Sequence, residues 1–269
     1  MEPKIIFLGT GGDSLVTARQ MRACGGIVIQ VEGYQFFLDP GPGALAKAAE
    51  FGVNVRDTTA ILASHNHLRH ANDVNALISA MTYSGLDKKG VLICNKTVFS
   101  GNEKEQPLLQ NFYKECLERN IILEPGKRVG IENIEIRAIG AEHTDPDTIG
   151  FKFFTPNFIL TYSSDTKYNS EIVESYKASD ILLLNTLNPF KTKGDQLNSE
   201  DVVKIIEKVK PKLTIMHHFG IKMIKSDPLS EAREVQKRTG VQIIAAMDGM
   251  QVNPVSYSVN LRQRTLNLY

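Results

Sequence analysis

The sequence has almost no excess of charge of either sign, because 31 lysines and arginines stand against 30 aspartates and glutamates. A protein that coats nucleic acid non-specifically needs a basic excess to displace counterions, so the composition argues against that class of function. The sequence also lacks any apolar run near the roughly 20 residues that span a bilayer. Met1 to Leu8 has neither the basic region nor the long apolar core of a secretory signal. We therefore expect a cytoplasmic protein with no membrane segment.

Cysteine is scarce as well. The three cysteines, Cys24, Cys94 and Cys116, are odd in number, widely spaced and form no Cys-x-x-Cys pair. This pattern indicates neither a disulfide framework nor a thiolate zinc site. Buried, reduced thiols are the expected state of all three.

Strand-like and helix-like segments alternate along the chain. Compact apolar runs predict strands, and apolar residues at helical spacing predict helices. The predicted strands are Lys4–Leu8, Gly26–Val31, Gln35–Leu38, Ala60–Ser64, Val91–Cys94, Ile134–Ile139, Ile149–Phe154, Phe158–Tyr162, Ile181–Leu184, Leu213–Met216 and Val241–Ala246. The predicted helices run from His70 through Met81, from Leu108 through Leu117, around Ile172 to Tyr176, from Asn198 or Ser199 through Val209, and from Asp227 through Arg238.

The arrangement of these segments predicts the class of fold. Hairpins mixed with helix-separated strands favour an α/β protein in which two packed sheets carry helices on the outside. The length of 269 residues, 42% of them hydrophobic, is enough for a sizeable core. With no linker in the sequence, one domain over residues 1–269 is the simplest organisation.

The six histidines all lie near the ends of predicted strands. They are His65, His67 and His70 after Ala60–Ser64, His143 after Ile134–Ile139, and the adjacent pair His217 and His218 after Leu213–Met216. Residues two apart on extended backbone point the same way, so His65 and His67 can hold one ion together. Strand ends are where layered α/β folds build their sites. Because imidazole binds zinc and iron well, this placement predicts a metal site.

Two aspartates follow strands in the same way. Asp165 comes after Phe158–Tyr162, and Asp39 comes after Gln35–Leu38 in the run Asp-Pro-Gly-Pro-Gly. A carboxylate at such a place can bridge two metals or orient a ligating imidazole. Asp39 could equally be a turn residue.

Taken in order, these motifs resemble the metallo-β-lactamase superfamily over nearly the whole chain. The opening Gly9-Thr10-Gly11-Gly12 and the run His218-Phe219-Gly220 are most similar to the branch of ribonuclease Z and the cyclic-phosphate phosphodiesterases. The resemblance implies an αββα sandwich of two mixed sheets, with helices on the outer faces and metals at the edge between the sheets.

The resemblance also assigns metal ligands. By match, His65, His67 and His143 hold a first metal, Asp165 bridges, and His70 and His218 serve a second metal. His218 is preferred to His217 because it directly precedes the phenylalanine. The implied cofactor is zinc, as one or two ions, although iron or manganese would also suit these ligands.

One position departs from the family pattern. The cluster reads His-Asn-His-Leu-Arg-His, with Arg69 where the family has the aspartate of His-x-His-x-Asp-His. A guanidinium stays protonated and cannot ligate a metal, so we expect a weakened, mononuclear site. Arg69 could pair with Asp165 in place of the second metal, or swing outward and leave Asp73 as a substitute ligand. In a third outcome, the site is inactive.

The expected reaction is hydrolysis, most readily of a small phosphodiester or a nucleic-acid end. Asp165, Asp39 and Arg69 are the candidate catalytic residues, with Arg69 as a possible phosphate contact. Arg22 and Lys222 are candidates for binding a small anionic substrate. Thioester or lactone hydrolysis is an alternative reaction. A non-catalytic binding or sensor protein with a degraded site is the alternative class.

Overall fold

The computed structural model describes residues 2–257, and within them the strands form two seven-stranded sheets. The strands are β1 (Lys4–Phe7), β2 (Ile27–Val31), β3 (Tyr34–Leu38), β4 (Thr58–Ala63), β5 (Val91–Cys94), β6 (Arg119–Ile122), β7 (Arg128–Ile131), β8 (Ile134–Gly140), β9 (Ile149–Phe154), β10 (Ile159–Tyr162), β11 (Ile181–Asn185), β12 (Leu213–His217), β13 (Gln242–Ala245) and β14 (Gln251–Val252). The helices are α1 (Ser14–Ala18), α2 (Ala44–Glu50), α3 (Leu68–Ala71), α4 (Val74–Thr82), α5 (Lys96–Ser100), α6 (Asn111–Glu115), α7 (Ser170–Glu174), α8 (Ser199–Val209), α9 (Ile221–Lys225) and α10 (Pro228–Thr239). Two short 3₁₀ helices, Val55–Asp57 and Pro254–Tyr257, complete the described elements.

Both sheets are mixed. The first has the order β14-β1-β2-β3-β4-β5-β6, antiparallel from β14 to β3 and parallel from β3 to β6. The second has the order β13-β12-β11-β10-β9-β8-β7, parallel from β13 to β10 and antiparallel from β10 to β7.

The hydrophobic core has three layers. Inward-facing side chains of both sheets, among them Phe36, Phe151 and Leu183, form the central layer. Apolar residues of α2 and α4 pack on the outer face of the first sheet, and those of α8 and α10 pack on the second. The αββα sandwich of two mixed sheets is therefore confirmed.

The topology brings the ends of several strands to one edge of the sandwich. In the first sheet β3 and β4 are parallel, so their carboxyl ends meet. In the second sheet β10, β11 and β12 are parallel, and β8 runs in the same direction because two antiparallel steps separate it from β10. The loops that follow these strands carry the candidate site residues, as is usual at the carboxyl edge of such sheets.

Two predicted helices are shorter in the structure. The helix expected from His70 through Met81 is two helices, α3 and α4, broken where the Asp73 amide donates to the carbonyl of Pro40. The helix expected from Leu108 through Leu117 is only α6, because the amide of Leu108 donates to the Asn66 side chain instead.

Three strands were not predicted from the sequence. They are β6, β7 and β14. The first two are partly exposed edge strands with little apolar periodicity, and β14 has only two residues. Over residues 2–257, no helix is long and apolar enough to cross a membrane.

Candidate metal centre

Asp39 is a buried carboxylate that contacts residues of both sheets at the candidate site. It follows β3 with a positive φ of 49°, which turns its carboxylate back under the neighbouring strand. The carboxylate accepts hydrogen bonds from the backbone amide and hydroxyl of Ser64, at 2.7 and 2.6 Å, and from the Tyr162 hydroxyl at 2.6 Å. Its Oδ2 also lies 2.8 Å from Nδ1 of His70. Asp39 therefore ties both sheets together and orients the ring of His70.

His65, His67 and His143 form one cluster, which we call the first ligand group. Their candidate ligand atoms all lie within 4.8 Å of one another. His65 and His67 come from the loop after β4, whereas His143 follows β8 of the other sheet. Nε2 of His143 is 3.2 Å from Nδ1 of His67. Burial lowers the pKa of His143 to about 4, so its imidazole is neutral near neutral pH, as a metal ligand must be.

His70, Asp165 and His218 form a second ligand group, again within 4.8 Å. The Asp165 carboxylate is fully buried, and its two oxygens lie 3.3 Å from Nε2 of His70 and 3.2 Å from Nε2 of His218. Oδ2 of Asp165 is also 3.8 Å from Nε2 of His143, so this carboxylate stands between the two groups.

Charges within the second ligand group shift the pKa values of its members in opposite directions. Burial acts to lower the pKa of His70, but attraction to the carboxylates of Asp165 and Asp39 outweighs it and raises the pKa to about 9. Burial acts to raise the pKa of Asp165, but the neighbouring imidazoles hold it well below its usual range. The carboxylate is therefore ionised, which suits it to hold a cation.

Several ring nitrogens in these groups have no hydrogen-bond partner among the described residues although they are buried. They are Nε2 of His65, His70 and His218, and Nδ1 of His143. Buried polar atoms normally find partners, and a metal is a natural partner for Nε2 of His65 and of His218, since burial lowers the pKa of both rings and favours their neutral form. The donor set therefore fits a divalent metal.

The two adjacent histidines after β12 have different environments. His218 lies in the second ligand group and has a positive φ of 62°. Its carbonyl packs so tightly on Gly12 that a Cβ at Gly12 would lie only 2.0 Å from it, which explains the glycine of the opening loop. The ring of His217 packs against Phe7 and Tyr162 and belongs to neither group.

Arg69 lines a small cavity of about 20 Å³ together with His70 and His218. Its Nη1 donates to the Ser14 hydroxyl at 3.4 Å, and its Nε is buried without a hydrogen-bond partner in the described part of the chain. Within residues 2–257 no ion pair joins Arg69 to Asp165. The guanidinium therefore lies beside the second ligand group but forms no ion pair with Asp165 that could take the place of a metal.

Asp73 is not placed as a substitute ligand. Its Oδ2 accepts hydrogen bonds from the amides of Gly43 and Leu45, at 3.0 and 3.3 Å, at the start of α2. It belongs to none of the candidate ligand groups among the described residues. The alternative in which Asp73 completes the second metal site has no support in this geometry.

The two candidate substrate-binding cations lie in different surroundings. Nη1 of Arg22 is 3.4 Å from the Thr10 hydroxyl, so its guanidinium stands over the glycine loop that packs on His218. Lys222 is exposed on α9, which begins directly after Gly220.

Sequence reasoning missed three polar residues that orient the candidate ligands or the loop that carries them. Asn185 and Gln196 donate to the two oxygens of Asp165, at 2.6 and 3.1 Å. Asp145 is fully buried and accepts from the Asn66 amide and the Asn95 side chain through one oxygen, at 3.3 and 3.1 Å. Its other oxygen accepts from the Thr97 hydroxyl at 3.0 Å. No spacing in the sequence identifies these residues, because their partners are distant in the chain.

Comparison with known proteins gives the family. A model of the beta-lactamase superfamily domain matches residues 34–219. An uncharacterized protein of Methanocaldococcus jannaschii is 32% identical over 94% of this chain and 95% of its own. A ribonuclease Z of Methanopyrus kandleri is 28% identical over 66% of this chain and 58% of its own, so that match leaves a large part of the enzyme uncovered.

Solved structures agree on the fold. The metallo-beta-lactamase fold protein YhfI from Bacillus subtilis matches with a TM-score of 0.77 and 16% identity, over 94% of this chain and 99% of that one. A diphosphatase of the PhnP family matches with a TM-score of 0.69 and 18% identity, over 94% and 97%. The family and its relatives support a metal-dependent hydrolase. By its fold and by the matched domain, this chain belongs to the metallo-β-lactamase branch of the beta-lactamase superfamily.

Proposed function

We propose that this protein hydrolyses a small phosphodiester, with one zinc ion held tightly by the first ligand group and a second held weakly or not at all. The observation that carries the proposal is the pair of ligand groups that meet at Asp165, with the permanent cation of Arg69 beside the second ligand group. When bound, a divalent metal supplies a Lewis acid and makes hydroxide available near neutral pH.

The residues of the chain prepare the site for that chemistry. The hydroxyl of Ser64 lies 2.9 Å from Nδ1 of His65 and leaves Nε2 free to ligate. Asp39 fixes the ring of His70 in the same way. Asn185 and Gln196 each donate to Asp165, so its carboxylate is held in one orientation. Such fixed partners set the geometry and basicity of ligating groups.

Asp165 and Arg69 have complementary roles in this proposal. The ionised carboxylate of Asp165 accepts a hydrogen bond from the attacking water and orients it. The guanidinium of Arg69 binds a non-bridging oxygen of the phosphoryl group, where the family pattern places a second metal ligand. Arg22 over the glycine loop, and Lys222 on α9, supply further positive charge that attracts an anionic substrate.

The test is turnover of bis(p-nitrophenyl) phosphate by protein loaded separately with zinc, manganese or iron. We expect activity that follows bound metal, and its loss in His143→Ala and Asp165→Asn. His217→Phe is the matched control, since that ring packs on Phe7 and Tyr162 outside both ligand groups. Turnover that is independent of metal, or that survives His143→Ala, would contradict the proposal.

A non-catalytic binding protein is the second candidate, and the position of Arg69 is the observation that favours it. If wild-type protein binds phosphate esters without turnover and Arg69→Asp turns them over, the natural chain is a binding protein. Turnover by wild-type protein that falls in Arg69→Ala supports the enzyme and the phosphate contact together.

A further inference from the structure

The loop over the first ligand group is held in place by the residue between two of its histidines. Asn66 separates His65 from His67, and its Nδ2 donates to the carbonyl of Gln106 at 2.8 Å. Its Oδ1 accepts from the amide of Leu108 at 3.0 Å. The loop at residues 102–108 is therefore attached directly to the segment that carries the ligands.

This attachment places the Glu105 carboxylate at the first ligand group. Oε2 of Glu105 lies 3.5 Å from Nδ2 of Asn66. The amide of Glu105 donates to the Asn102 side chain at 2.9 Å, which fixes the backbone of the turn. Burial, the larger effect, lowers the pKa of His67, but the charge of Glu105 is near enough to oppose it. Among the described residues Glu105 has no ion-pair partner.

Two cavities open beside this group, on either side of Thr144. The Thr144 hydroxyl is 3.4 Å from Nε2 of His67. A cavity of about 380 Å³ is lined by Glu105 and its loop together with Thr144. A second, of about 190 Å³, is lined by Glu142, His143, Thr144, Lys167 and Asp195. Both are wide enough for a substituent of a small substrate.

Each cavity has two carboxylates and one cation, which are Glu103, Glu105 and Lys104 in the larger cavity and Glu142, Asp195 and Lys167 in the smaller, so each has a net negative charge. Lys167 pairs with Glu142 at 2.6 Å and is also near enough to interact with the charge of Asp195, so two carboxylates share this one cation. His143, whose side chain is only 6% exposed, has a buried Nδ1 without a hydrogen-bond partner in the described part of the chain. This imidazole shows that the smaller cavity reaches the ligand group itself.

The opposite side of the site carries two guanidinium groups. Arg69 lines the cavity at His70 and His218, and Arg22 stands over the adjoining glycine loop. A substrate that spans both ligand groups therefore meets guanidinium groups at one end and carboxylates at the other. Such a site favours a substrate whose negative group lies toward the guanidinium groups and whose positive group lies toward the carboxylates. It disfavours a substrate that places a negative group against the carboxylates.

We propose that the substrate is a phosphodiester with a cationic substituent, which lies against Glu105 while the phosphoryl group faces Arg69. This inference rests on the proposed phosphodiesterase function. A substrate with a further phosphate toward Glu105, such as a continuing nucleic-acid strand, is disfavoured because that phosphate would face the carboxylates.

The first experiment compares two chromogenic diesters on the metal-loaded protein. p-Nitrophenyl phosphorylcholine carries a quaternary ammonium, whereas bis(p-nitrophenyl) phosphate carries no cation. We expect kcat/KM for the choline ester, divided by that for the diester without a cation, to fall about fivefold in Glu105→Gln, as for loss of one partly exposed charge pair. Glu132→Gln is the control, since Glu132 lies beyond the far end of β8 from His143, roughly 20 Å along the strand.

A charge reversal gives the complementary result. Thymidine 5′-(p-nitrophenyl phosphate) and its 3′-phosphorylated derivative differ by one phosphate group. Wild-type protein is expected to disfavour the 3′-phosphorylated ester, and Glu105→Lys to remove that preference. Ratios that are the same in wild type, Glu105→Gln and Glu105→Lys would overturn the inference even if bis(p-nitrophenyl) phosphate is hydrolysed.

Binding separates failure of this inference from failure of the proposed reaction. Calorimetry with phosphorylcholine and with glycerol 2-phosphate measures recognition without turnover. If no diester is hydrolysed but phosphorylcholine binds several-fold more tightly, and Glu105→Gln removes the difference, the specificity stands and the hydrolase proposal fails. Equal affinity for the two ligands in wild-type protein would overturn the specificity.

Discussion

The second ligand group should bind metal much more tightly when the charge at position 69 is reversed. Arg69→Asp replaces a guanidinium beside His70 and His218 with a carboxylate, a change of two charge units. If the separation is taken as about 8 Å for this calculation, a divalent ion would gain about 2 kcal/mol at the dielectric constant of water and about 8 kcal/mol at an effective value of about 20. Even the smaller figure corresponds to roughly 30-fold tighter binding.

The assay is metal content per chain, by elemental analysis of protein purified without added metal and then dialysed against graded zinc. We expect about one ion per chain in wild type and about two in Arg69→Asp. Arg69→Gln is the matched variant, because it removes the cation without supplying a carboxylate ligand. Its affinity for the second zinc ion should lie between those of wild type and Arg69→Asp. Arg128→Asp, at an exposed position paired with Glu135, controls for net charge.

Two results would refute this reasoning. Two ions of equal affinity in both wild type and Arg69→Asp would show that the guanidinium exerts no effect on the second ligand group. No tightly bound ion in wild type would show that the first ligand group is insufficient alone. In that case recovery of metal by Arg69→Asp would favour the binding-protein alternative.

Three further outcomes follow from the geometry. Asp145→Asn keeps only one acceptor oxygen, whereas the buried carboxylate accepts hydrogen bonds through both of its oxygens. The change should therefore lower the free energy of unfolding by about 1–3 kcal/mol, as measured by denaturant unfolding. It should also weaken zinc binding by the first ligand group, as measured by chelator competition. His218→Ala should weaken the second metal site of an Arg69→Asp background, whereas His217→Phe should leave metal content unchanged. The metal-free protein should melt at lower temperature as the pH falls from about 6.5 toward 4, because burial holds the pKa of His143 at about 4 and the unfolded chain then binds more protons. His70, with its pKa raised to about 9, contributes stability that is fully present below about pH 6.5 and is lost as the pH rises through 9. The melting temperature should therefore fall both below and above about pH 6.5, and a melting temperature that does not fall would contradict these assignments.

Most of the strands, and the positions of the candidate ligands at their ends, could be predicted because both depend on local sequence. Buried strands such as β11 and β12 are short apolar runs, and each candidate ligand follows the end of such a run. Two packed mixed sheets then require little more than the alternation of hairpins and helices.

Features set by distant contacts could not be predicted. The apolar spacing of Leu108 to Leu117 is helical, yet the hydrogen bond from Leu108 to Asn66 holds its first residues in a loop. The pattern from His70 to Met81 is helical as well, but the amide of Asp73 donates to the carbonyl of Pro40. In both places a tertiary hydrogen bond outweighs the local preference for helix.

The same limit applies to the supports of the candidate site. Asp145 follows His143 by two residues, but its partners, Asn66 and Asn95, are 79 and 50 residues away. Gln196 lies in the loop between β11 and α8, where only folding brings it to Asp165. Residue type and spacing indicate candidate ligands, whereas the residues that orient them depend on the packing of the two sheets.

The direction of the Arg69 side chain also needed the structure, and it changes how the departure from the family pattern is understood. An arginine paired with Asp165 would be part of the support of that carboxylate, so its replacement would disturb the ligand. Here Asn185 and Gln196 satisfy Asp165, and Arg69 reaches Ser14 instead. Asp165 should therefore keep its position in Arg69→Asp, which is why the charge at position 69 can be changed without losing the ligands around it.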